Sequence, residues 1–499
     1  MKNEIHVIVN GKETVAAKDT TLSEITKGEK PCGGHGKCGK CKVIAKGNLS
    51  NPCDMELKLL SSDEISRGVR LACLTRALGD CEIETVFAVE RSQIVTAGIL
   101  PTFELKPLFS DYGIAIDIGT TTIAAQLYDA NGALLSEVSR LNPQQKWGAD
   151  VMSRIESALN GAAASLKEAI RNTLNDMILE FSSVTDIKKA DGVVITGNTV
   201  MLSLLTGQSV EPFSHAPFEM KRPFGETLTA DELSLSALHP NTPVYLPPCI
   251  SAFVGADITC ALLATELCEN NTALLTDIGT NGEMALWHNG KLTVCSTAAG
   301  PAFEGVGISM GMRGAVGAID RVYVENGNLK AHVVGEGTPV GICGSGLVDA
   351  VGCMLDLGII DERGYLEDDE FVVETPVYLT PKDIRMLQLA KSAICAGILT
   401  LVDAAKLNTS DISRFYVAGG FGNYLNKENT AKIGLLPTDL SEKIEVVGNA
   451  ALSGAVMLLL NSEMHGTITD IAKAATTLVL STNPNFAERY MSGMMLEHT

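Results

Sequence analysis

The stretch Gly113-Ile114-Ala115-Ile116-Asp117-Ile118-Gly119-Thr120-Thr121-Thr122 decides how the larger part of this chain is built. Apolar residues run to an aspartate, a glycine and three threonines follow, and residues 123–128 resume as a second apolar arm. That is a strand, a tight turn and a returning strand. The unit comes back about 160 residues later. Residues 273–276 lead into Asp277-Ile278-Gly279-Thr280-Asn281-Gly282, residues 283–287 return, and residues 291–295 follow another turn. Repetition of a strand–DxGT–strand unit at this separation signals a body made of two duplicated lobes.

The residue types suit a phosphate cradle. Glycine lets the backbone approach, the N–H and hydroxyl groups of Gly119, Thr120, Thr121 and Thr122 hold phosphate oxygens, and Asp117 stands where it can hold Mg²⁺ through water. Asp277 with Gly279, Thr280, Asn281 and Gly282 supplies a facing cradle. A third element, Val417-Ala418-Gly419-Gly420-Phe421-Gly422, is a strand ending in a glycine turn. A flat adenosine can pack on Gly419, Gly420 and Gly422 because no side chain stands in the way. Two further glycine-rich segments align with these cradles, Ala299-Gly300-Pro301-Ala302-Phe303-Glu304-Gly305 and Ile342-Cys343-Gly344-Ser345-Gly346. Glu304 orients a water, binds ribose, or is an ordinary loop carboxylate. Cys343 reads as a packed thiol, and Asn198 as a residue lining the cleft or a partner surface. The candidate catalytic residues are therefore Asp117, Asp277 and Glu304.

Working outward, helical runs at 151–159 and 163–181 mix with strands at 192–195 and 414–418, which is an α/β body. Residues 88–110 carry Pro101 and Pro107, show no period, and read as a linker. Residues 1–87 have a different, α+β texture: strands at 4–10 and 13–17 around a turn, a short helix from Thr21, strands at 42–45, 69–72 and 81–86, and a helical turn near 57–60. Strands wrapped on one short helix with a cysteine loop predict a β-grasp domain. That loop holds Cys32, Cys38 and Cys41 at x5 and x2 spacing, with Cys73, Cys53 and Cys81 further on as possible fourth ligands. Four thiolates are what a [2Fe–2S] cluster needs. Glycines around His35 let the loop fold about the cluster with N–H groups toward its sulfurs. A zinc ribbon would repeat its CxxC pair, and here there is one.

Bulk composition sets the outer limits. The chain has 499 residues with 45% hydrophobic and 20% charged, and this predicts several globular domains. A formal net charge of −20 opposes binding to a phosphate backbone, so no nucleic-acid partner is expected. Charge reverses locally at Lys27, Lys30, Lys37, Lys40, Lys42 and Lys46, either a steering patch for an acidic partner or a solvated face. Thirteen cysteines, six of them in the first 81 residues, point to metal ligation and buried thiols rather than disulfides. No apolar run reads as long enough for a bilayer and the start is not a secretory signal, so a cytoplasmic protein without a membrane partner is expected.

The two cradles and the glycine turn, in this order, resemble the acetate kinase, sugar kinase, Hsp70 and actin superfamily across about residues 112–499. The resemblance implies an actin-like ATPase with duplicated ribonuclease H-like lobes and ATP in the cleft between them. Residues 111–270 would form lobe one, 271–447 lobe two, and 448–499 a C-terminal helix and tail, with Gly448-Asn449-Ala450-Ala451 opening the connecting helix. The cysteine loop resembles the adrenodoxin and plant-ferredoxin families. There the last ligand lies in a segment like Arg70-Leu71-Ala72-Cys73-Leu74-Thr75, which implies Cys32, Cys38, Cys41 and Cys73 as the ligand set.

The whole chain resembles the reductive activators of corrinoid proteins. The motifs that carry this are the cysteine set, Asp117 to Thr122, Asn142-Pro143-Gln144 with Gly148-Ala149-Asp150-Val151, Gly197-Asn198-Thr199, Asp277 to Glu283, Gly300 to Gly305 and Cys343-Gly344-Ser345-Gly346. Larger members have an extra domain after the ferredoxin, where this chain has only residues 88–110. The resemblance implies ATP-dependent, one-electron reduction of Co(II) to Co(I) on a corrinoid protein, through a cluster refilled by a low-potential donor. It leaves a homodimer open. A ferredoxin-type cluster near −400 mV falls short of the Co(II)/Co(I) couple. A deficit of about 100–200 mV corresponds to about 2–5 kcal/mol, within reach of one ATP. The alternatives are an iron–sulfur activator of another low-potential reductase or radical dehydratase, and a redox-sensing Hsp70-like clamp.

Overall fold

The computed structural model describes residues 4–9, 11–26, 41–60, 62–85, 98–335, 337–420 and 425–498. Cys32, His35, Cys38 and Gly422 lie outside the described residues. The chain divides into two compact units, Met1–Arg91 with Gln144–Ala149, and Ser92–Pro143 with Asp150–Thr499.

The first unit contains strands β1 (Glu4–Val9), β2 (Lys12–Ala17) and β3 (Thr20–Thr21), helix α1 (Leu22–Thr26) and strand β4 (Lys42–Leu49). Helices α2 (Asp54–Leu59) and α3 (Ser62–Ser66) and strands β5 (Val69–Leu71) and β6 (Arg76–Thr85) follow. The sheet order is β2-β1-β6-β4-β5, with β3 beside β6. Strand β1 runs antiparallel to β2 and parallel to β6, the mixed arrangement of a β-grasp sheet. Alternation fixes the register: Ile5 and Val7 are buried while His6 and Ile8 face out. Their inner face packs with Leu22, Val43, Ala45, Leu71, Ala77 and Ile83.

In the second unit, β7 (Tyr112–Ile118), β8 (Thr122–Asp129) and β9 (Leu134–Leu141) form an antiparallel meander. Helices α4 (Val151–Ser157) and α5 (Ala163–Glu180) meet at a break where Gly161 takes φ 96°. Next come β10 (Ala190–Gly197), α6 (Thr199–Thr206), β11 (Glu226–Thr229), β12 (Pro243–Leu246) and α7 (Ala256–Ala264). The order β11-β12-β10-β7-β8-β9, with β10 parallel to β7 and β12, is that of a ribonuclease H-like lobe.

The pattern repeats. Strands β13 (Thr272–Ile278), β14 (Gly282–His288) and β15 (Lys291–Thr297) form the second meander. An insertion follows, with β16 (Ala318–Glu325), β17 (Asn328–Val333), β18 (Gly341–Ile342), α8 (Gly344–Asp356), β19 (Phe371–Glu374), β20 (Val377–Leu379) and α9 (Pro381–Ala404). The lobe closes with β21 (Arg414–Ala418), α10 (Lys427–Lys432), α11 (Thr438–Ser441), β22 (Ile444–Gly448) and α12 (Ala450–Leu460). Helix α13 (Met464–Ala474), strand β23 (Ala475–Thr477) and α14 (Pro484–Ser492) finish the described chain. The order is β22-β21-β13-β14-β15-β23, in which β22 to β15 repeat β12-β10-β7-β8-β9 of the first lobe, with β21 parallel to β13 and β23 added at the far edge.

Two features depart from the sequence reading. Helix α9 has a membrane-length window of mean hydropathy 1.4, so an apolar stretch of that size does exist, but 78% of that window is buried inside the protein. Residues 98–110, expected as linker, are fastened to the large unit. Ile99 N donates to Val447 O at 2.9 Å, and Lys106 N and Leu108 N donate to Leu460 O and Leu459 O, each at 2.9 Å. Phe109 fills the space that Gly113 and Gly192 leave empty. Helix α12 is buried on every side, which explains why it is apolar all round. A Cβ at Gly454 would stand 2.1 Å from Cys260 O on α7, so glycine is what lets the two helices touch.

Candidate functional site

The two meanders bring their turns face to face around a cavity of about 260 Å³ in the large unit. Asp117, Gly119, Thr120, Thr121 and Thr122 line it from the first lobe, and Asp277, Gly279, Thr280 and Asn281 from the second. Glu304, Gly419 and Gly420 also line it, as do Asn198 and the Cys343-Gly344-Ser345 start of α8. Gly282 does not. A Cβ there would meet Ile394 Cδ1 at 2.3 Å, so this glycine lets β14 pack against α9.

The duplication extends to the backbone. Asp117 pairs with Thr196 across β7 and β10, and Asp277 with Ala418 across β13 and β21. Just beyond, a Cβ on Gly197 would lie 2.8 Å from Ile118 O, and one on Gly419 2.7 Å from Ile278 O. Gly419 adopts φ 95° and its missing Cβ would also stand 2.8 Å from Asp277 Oδ1. Each lobe thus needs a glycine to pass directly over the residue after its aspartate.

The first cradle is tied from behind. Asn142 Nδ2 donates to Gly119 O at 2.8 Å, Asn142 N to Thr121 O at 2.9 Å, and the fully buried Arg154 to Thr120 O. Burial pulls the Arg154 guanidinium down to about 10 despite Asp150 and Glu304 nearby. Asn198 Nδ2 donates to Thr120 Oγ1 at 3.1 Å, while its Oδ1 caps α6 through Met201 N at 2.9 Å. Glu304 links the lobes: its carboxylate accepts from Thr121 Oγ1 of the first cradle and, at 2.8 Å, from Thr280 Oγ1 of the second. The two hydroxyl oxygens are 3.5 Å apart.

Carboxylates crowd the floor. Burial, with Asp277 adding repulsion, raises Asp117 to about 7, against the hydrogen bond it accepts from Asn449 Nδ2 at 3.0 Å. Asp277 is raised to about 7 by burial, then by Asp257 and Glu304. Asp257 reaches about 7 through burial and Asp117, and Glu283 is pushed well up by burial, Asp257 and Asp277. A buried set of mutually repelling acids is relieved by a cation. Among the described residues no three Cys, His, Asp or Glu side chains converge closely enough to ligate a metal by themselves. That suits Mg²⁺, which binds through one or two carboxylates, water and substrate phosphates.

Sequence reasoning passed over Asp257, Glu283 and Asn449 as site residues. Asp257 is the one acid in the otherwise apolar helix α7, and Glu283 the one acid in strand β14. Both were visible as isolated charges, but nothing local said where the helix or strand would point. Asn449 caps α12 through Leu452 N at 2.9 Å, and its role toward Asp117 appears only across 332 residues of chain.

In the small unit, Cys41 and Cys73 sulfurs stand 3.1 Å apart without a bond. Both sulfurs are within reach of one metal ion, a thiolate–metal bond being about 2.3 Å. The pairing is held by the backbone, with Ala72 N donating to Cys41 O at 2.7 Å. Cys53 is exposed at the start of α2, and Cys81 is buried in β6 opposite Val7. The described half of the cysteine set therefore fits cluster ligation, with Cys32 and Cys38 outside the described residues.

Residues 112–270 match the family described as the RACo middle region, and residues 271–499 the C-terminal domain of RACo, the ASKHA domain. The corrinoid activation enzyme RamQ of Eubacterium limosum is 36% identical over 459 residues, covering 83% of this chain and 76% of that protein. The [Co(II) methylated amine-specific corrinoid protein] reductase of Methanosarcina barkeri is 28% identical over 417 residues, 76% of each chain. A solved structure of a reductive activator for a corrinoid, iron–sulfur protein superposes with TM-score 0.74 at 29% identity over 99% of both chains. A relative more than 30% identical over most of its length, with family matches across residues 112–499, makes this chain a member of the RACo family of corrinoid-protein activators.

Proposed function

We propose that this protein uses ATP to deliver one electron to the Co(II) form of a corrinoid protein partner, returning it to Co(I). The observation that carries this reading is the presence, in one member of this family, of an adjacent thiol pair in a β-grasp unit and an acidic cleft between two phosphate cradles. Cys32, Cys38, Cys41 and Cys73 are the ligands we assign to a [2Fe–2S] cluster, which when bound supplies single electrons at low potential. A low-potential donor refills it, and the protein works in the cytoplasm.

In the cleft, Gly119, Thr120, Thr121 and Thr122 hold one side of the ATP phosphates and Gly279, Thr280 and Asn281 the other. Asp117 and Asp277 hold Mg²⁺ through water, with Asp257 adding charge behind them. Gly419 and Gly420 leave a floor free of side chains for adenosine, and Gly422, outside the described residues, is assigned to the same nucleotide contact. Glu304 orients the attacking water, because its carboxylate already spans the hydroxyls of both cradles. Nucleotide bound across two lobes favours one lobe arrangement over another, and that difference in affinity is the source of any work done on the docked partner.

The test is anaerobic. Reduced protein, freed of its chemical reductant, is mixed with Co(II) corrinoid protein, and Co(I) absorbance is followed with and without Mg-ATP. Co(I) should appear with ATP and fail to appear without it, and Asp277→Ala should abolish the ATP response. An Asp277→Ala variant that reduces Co(II) with undiminished ATP dependence would sink the role given to the second cradle. No Co(I) from a preparation with intact cluster and active ATPase would favour the redox-sensing clamp.

A further inference from the structure

A buried charge network packs against the turn that carries Cys73. Glu56 on α2 is 1% exposed and Arg70 at the middle of β5 is 7% exposed. Arg70 Nε and Nη2 grip the carboxylate at 3.1 and 2.9 Å, and Arg70 Nη1 donates to Ser50 O at 2.8 Å. Glu56 Oε1 also accepts from Leu71 N at 3.0 Å and from Thr75 Oγ1 at 2.9 Å, while Oε2 accepts from Cys53 N at 3.3 Å. A lone carboxylate in such a place is expensive, and removing it would leave a buried guanidinium without its counter-charge. Packing alone would be served by an apolar residue.

What the carboxylate grips is the turn that carries Cys73. Leu71 N is its first amide and Thr75 Oγ1 its last side chain, so one oxygen clasps both ends of a five-residue loop. The loop is closed on itself by Leu74 N and Thr75 N, each 2.9 Å from Leu71 O. Its far side is tied to Cys41 O through Ala72 N and to α1 through Ser23 N, which donates to Ala72 O at 2.9 Å. Cys73 is thereby left as the apex of a loop whose base cannot move. Buried, fully partnered charge networks of this kind rigidify what they hold.

We propose that Glu56 is a positioning residue for the metal centre: acting through Leu71 and Thr75, it sets where Cys73 stands against Cys41. This rests on the cluster assignment above, and Glu56 does not itself touch the metal. Outer partners that orient metal ligands carry weight well beyond their own contacts, and losing one costs about 10–100-fold in metal retention.

The experiment uses the full chain, purified anaerobically with its iron, in wild-type, Glu56→Gln, Glu56→Ala and Thr75→Val forms. Three readouts are taken: the visible absorption of the cluster, the electron paramagnetic resonance line of the reduced form, and the rate at which a chelator removes iron. Glu56→Ala should lose iron at least about tenfold faster than wild type and shift the resonance line. Glu56→Gln can keep the acceptor shared by Leu71 and Thr75, so it should restore most of the retention. Thr75→Val leaves the ion pair intact and removes one clasp, so it should fall between wild type and Glu56→Ala, which keeps the proposal open to test even if Glu56→Ala does not fold. Unchanged chelation rates and line shapes in Glu56→Ala and Thr75→Val would overturn the positioning role while leaving the cluster assignment standing. A wild-type protein without the cluster's absorption would overturn both.

Discussion

Asp257→Asn separates two opposite contributions of a single carboxylate. In the empty cleft, burial and the neighbouring Asp117 raise this group to about 7, whereas in an unfolded chain it titrates near 3.9. Below about pH 4 both states are protonated and the group has no effect on stability. As pH rises further the unfolded chain releases the proton while the folded cleft keeps it, so stability falls, and the loss is complete above about pH 7. About three pH units at 1.36 kcal/mol each come to roughly 4 kcal/mol, which asparagine does not lose. At about 2.1 cal/mol/K per residue the large unit has an unfolding entropy near 0.8 kcal/mol/K, so the variant should melt about 5 °C higher at about pH 8. By the same arithmetic the gain shrinks to about 2 °C at about pH 5.

Ligand narrows this gap. Mg-ATP at about 100 times its Kd stabilises wild type by about 2.7 kcal/mol. The variant has lost one of the anions that make the cleft attract a cation, so its ligand-induced shift should be smaller. Thermal unfolding by calorimetry, in chelator across the pH range and then with Mg-ATP, reads both effects. If the ligand-free variant melts below wild type by the same amount at both pH values, Asp257 is an ordinary structural acceptor for Ile258 N, 2.8 Å away, and the repulsion argument is wrong.

Three further substitutions probe the cleft and the contact between α7 and α12. Gly419→Ala puts a Cβ 2.7 Å from Ile278 O at a φ of 95°, so it should cost about 1–3 kcal/mol and depress ATP hydrolysis; wild-type turnover would show that the crossing is not tight. Glu304→Ala removes the carboxylate shared by Thr121 and Thr280 and should lower kcat for ATP hydrolysis by about 10²–10⁴, with KM changed far less. A KM change with kcat intact would make Glu304 a ribose or phosphate contact. Gly454→Ala forces α12 away from α7, where the added carbon would meet Cys260 O at 2.1 Å, and should lower the melting temperature of the large unit through about 1–3 kcal/mol of overpacking.

Local chemistry was enough to announce much of this protein. Asp117-Ile118-Gly119 and Asp277-Ile278-Gly279 are legible because a strand followed by glycine and hydroxyl residues is a statement about backbone conformation, which neighbours along the chain dictate. The repeat of that unit announced two lobes, and the cysteine spacing raised the expectation of a thiolate site, because both are patterns of separation along the sequence. Even so, Gly282 shows the limit of such reading. It sits inside the second motif, yet the side chain it faces is Ile394 on α9, more than a hundred residues away. Cys73 could be told from Cys53 and Cys81 by resemblance, while the 3.1 Å approach to Cys41 came only from the pairing of β4 with β5.

Tertiary structure alone decided the rest, for one physical reason. Asp257, Glu283, Asn449 and Glu56 are single polar residues whose function comes from partners distant in sequence, and a lone charge in an apolar segment carries no periodicity to announce its target. Asp257 lies 140 positions from Asp117, whose repulsion it shares, and Asn449 lies 332 positions from the same carboxylate. Electrostatic repulsion and buried hydrogen bonds act over a few ångströms of space, whatever the separation in sequence. The sequence by itself therefore determined which motifs this chain would carry, and the fold decided which acids share the cleft and which carboxylate bonds to Leu71 and Thr75 on either side of Cys73.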